Sequence, residues 1–174
     1  LPFMFRLKKA YRYARLIACS SSVIIKKIKK QIPQMRHKLF FAYPCISRDL
    51  IINRDSMLEK LKNFSERKQI SIVTSYNIQT KFDLTNIIKS VERLDLVNWD
   101  LKILYKDFIN PKIETFCDKL GILEKVQFVK IENDFEIDYI FEETNLFISS
   151  NRSKDFGVLY LKAMAKGVIP LCYK

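Results

Sequence analysis

The sequence predicts an α/β fold in which a parallel sheet carries helices on its faces, and three observations support that reading. From Ile70 onward, apolar runs of strand length alternate with apolar stripes at helical spacing, the order that builds strand–helix–strand crossovers. Helix-boundary signals punctuate the alternation, most clearly Asn110 and Pro111 at one start and Gly121 just past its end. The stretch Asn151 to Cys172 reads as a strand-exit loop, a helix opening at Gly157 and closing at Gly167, and an apolar strand, a unit in which α/β proteins place ligands at strand C-termini.

Taken in order, Leu7, Ala10, Tyr11 and Ala14 recur at helical spacing with Arg6, Lys8, Lys9, Arg12 and Arg15 between them, giving a basic amphipathic helix. Leu16 to Cys19 is a short strand. Ser20 to Ser22 supply an N-cap for a helix with the apolar line Ile24, Ile25, Ile28 and Ile32, and Pro33 ends it. Lys38 to Tyr43 is the next strand. Ser56 and Glu59 form a capping box ahead of a helix whose apolar positions are Met57, Leu58, Leu61 and Phe64. Ile70 to Thr74 is a buried strand, followed by a helix with the stripe Leu84, Ile87, Ile88, Val91 and Leu94. Leu101 to Tyr105 is a strand, and the helix after Asn110 carries Ile113, Phe116, Cys117 and Leu120 inward. Val126 to Val129, Leu146 to Ser149 and Val168 to Leu171 are further strands, with Asp134 to Glu142 helical between the first two.

A chain of 174 residues is long enough for one ordinary domain and too short for two full α/β domains. It begins at Leu1 and stops at Lys174 directly after a predicted core strand, and is expected to be a piece of a longer protein. Its three glycines, against an average usage of about 7%, leave few phosphate-cradling loops. The net charge of +12 lies wholly at the N-terminal end: residues 6 to 48 hold 12 Lys and Arg, Asp49 is the first acid, and the remaining 19 basic residues balance 19 acidic ones. Such a block reads equally as a solvated face or as a patch for an anionic membrane, a nucleic acid or a phosphorylated ligand. Cys19, Cys45, Cys117 and Cys172 lie far apart in apolar contexts and read as buried free thiols in a reducing, cytoplasmic setting.

Several chemistries are disfavoured. No run approaches the ~20 apolar residues of a membrane span, since Arg15 and Lys26 bracket the best candidate, Leu16 to Ile25. His37 is the only histidine and stands in a basic run with no evident nucleophile and orienting carboxylate, which argues against a catalytic triad. Scattered cysteines and one histidine argue against a zinc set, and Asp49 and Asp55 show no spacing for a metal pair. Neither a Gly-x-Gly-x-x-Gly nor a Gly-Lys-Ser/Thr loop occurs. Tyr11, Tyr13, Phe40, Phe41 and Tyr43, mixed with basic residues, fit burial better than RNA stacking, so nucleic acid is a disfavoured partner.

Phe156-Gly157, Ala163-Met164-Ala165, Gly167 and Pro170 resemble the donor-site segment of the group 1 retaining glycosyltransferases, which usually runs Glu-Gly-Phe-Gly, four residues, Glu-Ala-Met-Ala-x-Gly-x-Pro, with Asp155 standing at the family's first glycine. Those enzymes have the GT-B architecture of two Rossmann-like domains. The resemblance implies that residues 49–174 are the Rossmann-like donor-binding domain, incomplete at its C-terminus, and that residues 1–48 are a basic remnant of the acceptor domain and linker. It further implies transfer of a hexose, with retention, from a nucleotide diphosphate sugar to an unknown acceptor. No resident cofactor and no metal are implied, and a peripheral site at the inner membrane face through residues 6–48 is.

The site residues implied by the resemblance are Lys81, Lys154, Asp155, Phe156, Gly157 and Lys162. Lys81 matches the lysine that holds the donor diphosphate, while Tyr76 stands where the family has an arginine. Both family glutamates are replaced, by Lys154 and Lys162, and a lysine ammonium offers three donors and no acceptor for a ribose diol. Tyr105 to Phe108 lacks the glycines the family has near the nucleotide, so bulky side chains stand where only glycine leaves space. These departures keep a second reading open: a catalytically inactive homologue that retained the sheet and acts as a partner or scaffold.

Overall fold

The computed structural model describes residues 10–67, 69–76, 81–94, 98–149 and 157–172, without the side chains of residues 67 and 81–83. The chain divides into two units, one of Leu1–Cys45 with Ser153–Val158, the other of Ile46–Arg152 with Leu159–Lys174.

In the first unit, β1 (Ile17–Cys19) and β2 (Leu39–Phe41) pair in parallel, Ile17 opposite Leu39 and Cys19 opposite Phe41. The crossover between them is α1 (Ser22–Gln31), whose first turn is capped by the Ser21 hydroxyl accepting from the Val23 N–H at 3.1 Å. Ile28 is buried against Ile17 and Cys19, with Ile24, Ile25, Met35 and Leu39 around them. The four lysines of α1 are exposed, as the spacing predicts. Pro33 cannot continue the helix, and a 3₁₀ segment, Pro33–Lys38, leads into β2. Lys38 Nζ donates to the carbonyls of Arg12 and Ala14 at 2.9 and 2.8 Å, capping the helical residues 10–13.

The second unit is a five-stranded parallel sheet in the order β5-β4-β3-β6-β7, made of β3 (Gln69–Ser75), β4 (Asn98–Tyr105), β5 (Val126–Lys130), β6 (Leu146–Ser149) and β7 (Ile169–Cys172). One register row runs Val126, Leu101, Ile72, Leu146, Ile169 across all five. Strand side chains alternate between faces, so each face needs its own helices. On one face, α3 (Lys81–Glu92) and α4 (Pro111–Lys119) bury Leu84, Ile87, Ile88, Val91, Ile113 and Cys117 against Ile72, Leu101 and Ile103. On the other, α5 (Asp134–Glu143) and α6 (Val158–Ala165) bury Ile137, Phe141 and Ala163 against Val73, Leu104 and Phe147. The side chains of Asn110 and Asn133 cap α4 and α5, Asn110 accepting from the Lys112 N–H and Asn133 from the N–H groups of Phe135 and Glu136.

Two sequence expectations need correction, the start of one helix and the burial of two thiols. The helix α2 (Arg54–Arg67) starts two residues before Ser56, and its cap is Asn53, whose Oδ1 accepts from the Ser56 N–H at 2.8 Å. On α2, Leu58 and Leu61 are 55% and 52% exposed, and this part of the chain is also held by Ile52 N–H donating to the Ala165 carbonyl and by Lys60. Of the four thiols only Cys19 and Cys117 are buried; Cys45 and Cys172 are exposed, Cys172 on the edge strand β7.

Candidate functional site

The strand order fixes where a ligand site belongs in the second unit. From β3 the chain moves outward to β4 and β5, then returns to the other side of β3 for β6 and β7. The direction reverses between β3 and β6, which are neighbours, so the crevice of an open α/β sheet lies at the carboxyl ends of those two strands. Those ends are Ser75 and Ser149. Beyond them run residues 77–80, which lead to Lys81 at the start of α3, and residues 150–156, which lead to Gly157 and α6. Two helices thus begin directly after the reversal strands, and helix N-termini carry the unpaired N–H groups and positive dipole ends that favour anions.

Of the expected site residues, Lys154, Asp155 and Phe156 lie outside the described residues, as does the side chain of Lys81, whose backbone opens α3. Gly157 precedes α6 with φ of 67°, a left-handed conformation that a side chain disfavours. Lys162 sits on α6, and its Nζ lies 3.1 Å from Asp138 Oδ2 and donates to the Asp134 carbonyl at 3.2 Å. Tyr76, just past β3, is buried with Ile72, Leu84 and Ile103, and its N–H donates to the Leu104 carbonyl at 2.7 Å. Both the Tyr76 hydroxyl and Thr74 Oγ1, at the carboxyl end of β3, are buried with no hydrogen-bond partner among the described residues. Phe108, beyond β4, is 58% exposed. No group of three or more His, Cys, Asp or Glu is placed to hold a metal ion among the described residues, and no helix among them is long and apolar enough to cross a membrane.

A groove of about 710 Å³ lies at the opposite end of the strands, lined among others by Asn53, Lys60, Ser71, Asp100, Asn145 and Lys166. The switch point is a better anion site than this groove, because the groove meets the C-terminal ends of α5 and α6, whose carbonyls repel anions. Its Lys60 donates to the carbonyls of Phe141 and Lys166, both at 2.9 Å, and so ties α2 to those two helix ends. Burial lowers the Lys60 pKa to about 8, outweighing attraction from Glu142, with Lys166 lowering it further. An unfolded lysine holds its proton to about 10.4, so the unfolded chain binds more protons between those values and stability rises with pH across that window. Urea midpoints of the wild type should therefore increase from pH 8 to pH 10, and Lys60→Met should flatten the slope; a wild-type midpoint that falls by as much as the variant's would refute this.

Sequence reasoning missed the contacts of Lys60 and the pairing of α5 with α6. The signal for the second was present: Asp138 and Glu142 stand four apart on one helix, Lys162 and Lys166 four apart on the other.

No protein-family model and no curated protein sequence matches the chain. Solved structures do match in fold. WaaG, a glycosyltransferase involved in lipopolysaccharide biosynthesis, aligns with a TM-score of 0.69 at 16% identity over 89% of this chain and 43% of its own. HepE of Anabaena, solved in complex with UDP and glucose, aligns with a TM-score of 0.69 at 12% identity over 97% of this chain and 47% of its own. The C-terminal domain of the group 1 glycosyl transferase LpcC from Francisella tularensis aligns with a TM-score of 0.55 at 14% identity over 74% of this chain and 70% of its own. The expected α/β class is what the structure has, and its sheet with flanking helices is that of the Rossmann-like domains of GT-B glycosyltransferases. The chain spans less than half the length of WaaG and HepE.

Proposed function

We propose that this chain forms the donor-binding half of a group 1 GT-B glycosyltransferase, which moves a hexose from a nucleotide diphosphate sugar to an acceptor. The observation that carries this reading is the reversal of strand order between β3 and β6, the point at which an open α/β sheet takes its ligand, in a fold shared with a protein solved with UDP and glucose. In this reading Lys81 holds the diphosphate, the helix after Gly157 directs its N-terminus at the phosphates, and Lys154, Asp155 and Phe156 line the sugar pocket. Calorimetric titration with UDP-glucose, GDP-mannose and ADP-glucose should give saturable heat with at least one donor, and Lys81→Ala should weaken that binding by about ten- to a hundredfold, the worth of one charged hydrogen bond.

A second reading is a non-catalytic relative that serves as a partner or scaffold. It is favoured by Lys162, which stands where the family has an acceptor carboxylate and is itself bound to Asp138. Silence across all three donors would favour it.

The first unit supports an anionic membrane surface as a further partner of this peripheral, cytoplasmic-face enzyme. Its sequence has no acidic residue before Asp49, and Lys26, Lys27, Lys29 and Lys30 are exposed along α1. The chain should sediment with phosphatidylglycerol vesicles and not with phosphatidylcholine ones; equal recovery with both, or preference for RNA over the acidic vesicles at matched salt, would contradict this.

A further inference from the structure

Helices α5 and α6 are joined by two lysine–carboxylate rungs one turn apart: Lys162 Nζ to Asp138 Oδ2 at 3.1 Å, and Lys166 Nζ to Glu142 Oε1 at 2.7 Å. The rungs are not equivalent. In the second, the Glu142 side chain is 49% exposed and water shares the charge. In the first, the Lys162 and Asp138 side chains are 14% and 10% exposed, and Asp138 Oδ1 is buried with no hydrogen-bond partner among the described residues. The carboxylate is therefore held in the interior chiefly by Lys162. Removing one member of such a pair leaves an uncompensated buried charge, whereas removing both together is nearly neutral. Lys162 also donates to the Asp134 carbonyl, in the first turn of α5, so two of its three N–H groups are engaged within the protein.

We propose that Lys162 is a positioning residue and not an anion contact: through Asp138 and the Asp134 carbonyl it clamps α6 to α5, and so fixes where α6 lies against its neighbour helix. Engaging a phosphate would require the ammonium to release both bonds and strand the Asp138 carboxylate. The clamp stands on the contacts alone; its consequence for ligand binding rests on the donor-site reading.

Two measurements on the 174-residue chain test it, urea unfolding and UDP-glucose titration, each on the wild type, Lys162→Met, Asp138→Leu and the double variant. Lys162→Met should raise the unfolding equilibrium constant about a hundredfold or more, and the double variant should return to within about tenfold of the wild type. UDP-glucose affinity should follow the same order, weakened in Lys162→Met and restored to within about threefold in the double variant although the ammonium is gone. A double variant that regains stability yet stays about tenfold or more weaker for UDP-glucose would make Lys162 a ligand contact and overturn the proposal. Strictly additive destabilisation would overturn the clamp itself. If the wild type takes up no donor, the donor-site reading fails separately and the unfolding cycle alone decides the clamp.

Discussion

Replacing Phe147 with alanine is expected to cost about 3–5 kcal/mol of folding stability, the loss typical of a fully buried phenylalanine. Phe147 is 1% exposed and lies where β6 meets both helices of its face. Its ring centroid is 5.4 Å from that of Phe141 on α5 and 5.5 Å from that of Tyr160 on α6, both in inclined geometry. The void cannot readily collapse, since β6 is hydrogen-bonded on both sides, to β3 and to β7. Domains of this size are stable by only about 5–15 kcal/mol, so the variant should be marginal at 37 °C, while Phe147→Leu should retain most of the stability. Urea unfolding at constant slope is the measurement, and a loss below about 1 kcal/mol would show that this face is loosely packed.

Gly167→Ala should cost about 2–4 kcal/mol, for two separable reasons. Gly167 ends α6 at φ of 68°, with its N–H donating to the Met164 carbonyl and the Val168 N–H donating to the Ala163 carbonyl. That is a glycine-terminated helix end, and any side chain there is strained. A Cβ at this position would also stand 2.5 Å from Met57 Sδ and 3.2 Å from Met57 Cε. Gly121 separates the two effects, because it has φ of 69° and nothing within 4 Å of the position a Cβ would take. Gly121→Ala should lose only the conformational part, about 1–2 kcal/mol. Adding Met57→Ala to Gly167→Ala should bring the pair closer to the Gly121→Ala value; equal losses for Gly167→Ala and Gly121→Ala would mean that α2 yields at no cost.

Most of the sheet was legible because parallel strands buried on both faces read as mainly apolar runs, as Ile70 to Thr74 and Leu101 to Tyr105 do despite Ser71 and Lys102. Caps at Ser21 and Asn110 were legible because small polar side chains compete for free N–H groups. The start of α2 was not, since Asn53, Ser56 and Glu59 all offer capping chemistry and only the contacts of Ile52 and Lys60 choose among them. Its apolar positions Met57, Leu58, Leu61 and Phe64 signalled a helix correctly but not how far they are covered, because periodicity reports an amphipathic face without reporting what packs on it. The location of the candidate site followed from strand order, which alternation suggests but register alone establishes. The engagement of Lys162 depends on Asp138, 24 residues away, and a lysine alone says nothing about such a partner.

The most direct test of the donor-cleft reading is a backbone amide chemical-shift titration of the isotope-labelled chain with UDP-glucose. The account predicts saturable shifts for Ser75, Tyr76, Ser149 and Gly157, at and beyond the carboxyl ends of β3 and β6, with Ser71, Asp100 and Asn145 unmoved. Shifts confined to those last three residues, in the groove at the other end of the strands, would contradict it.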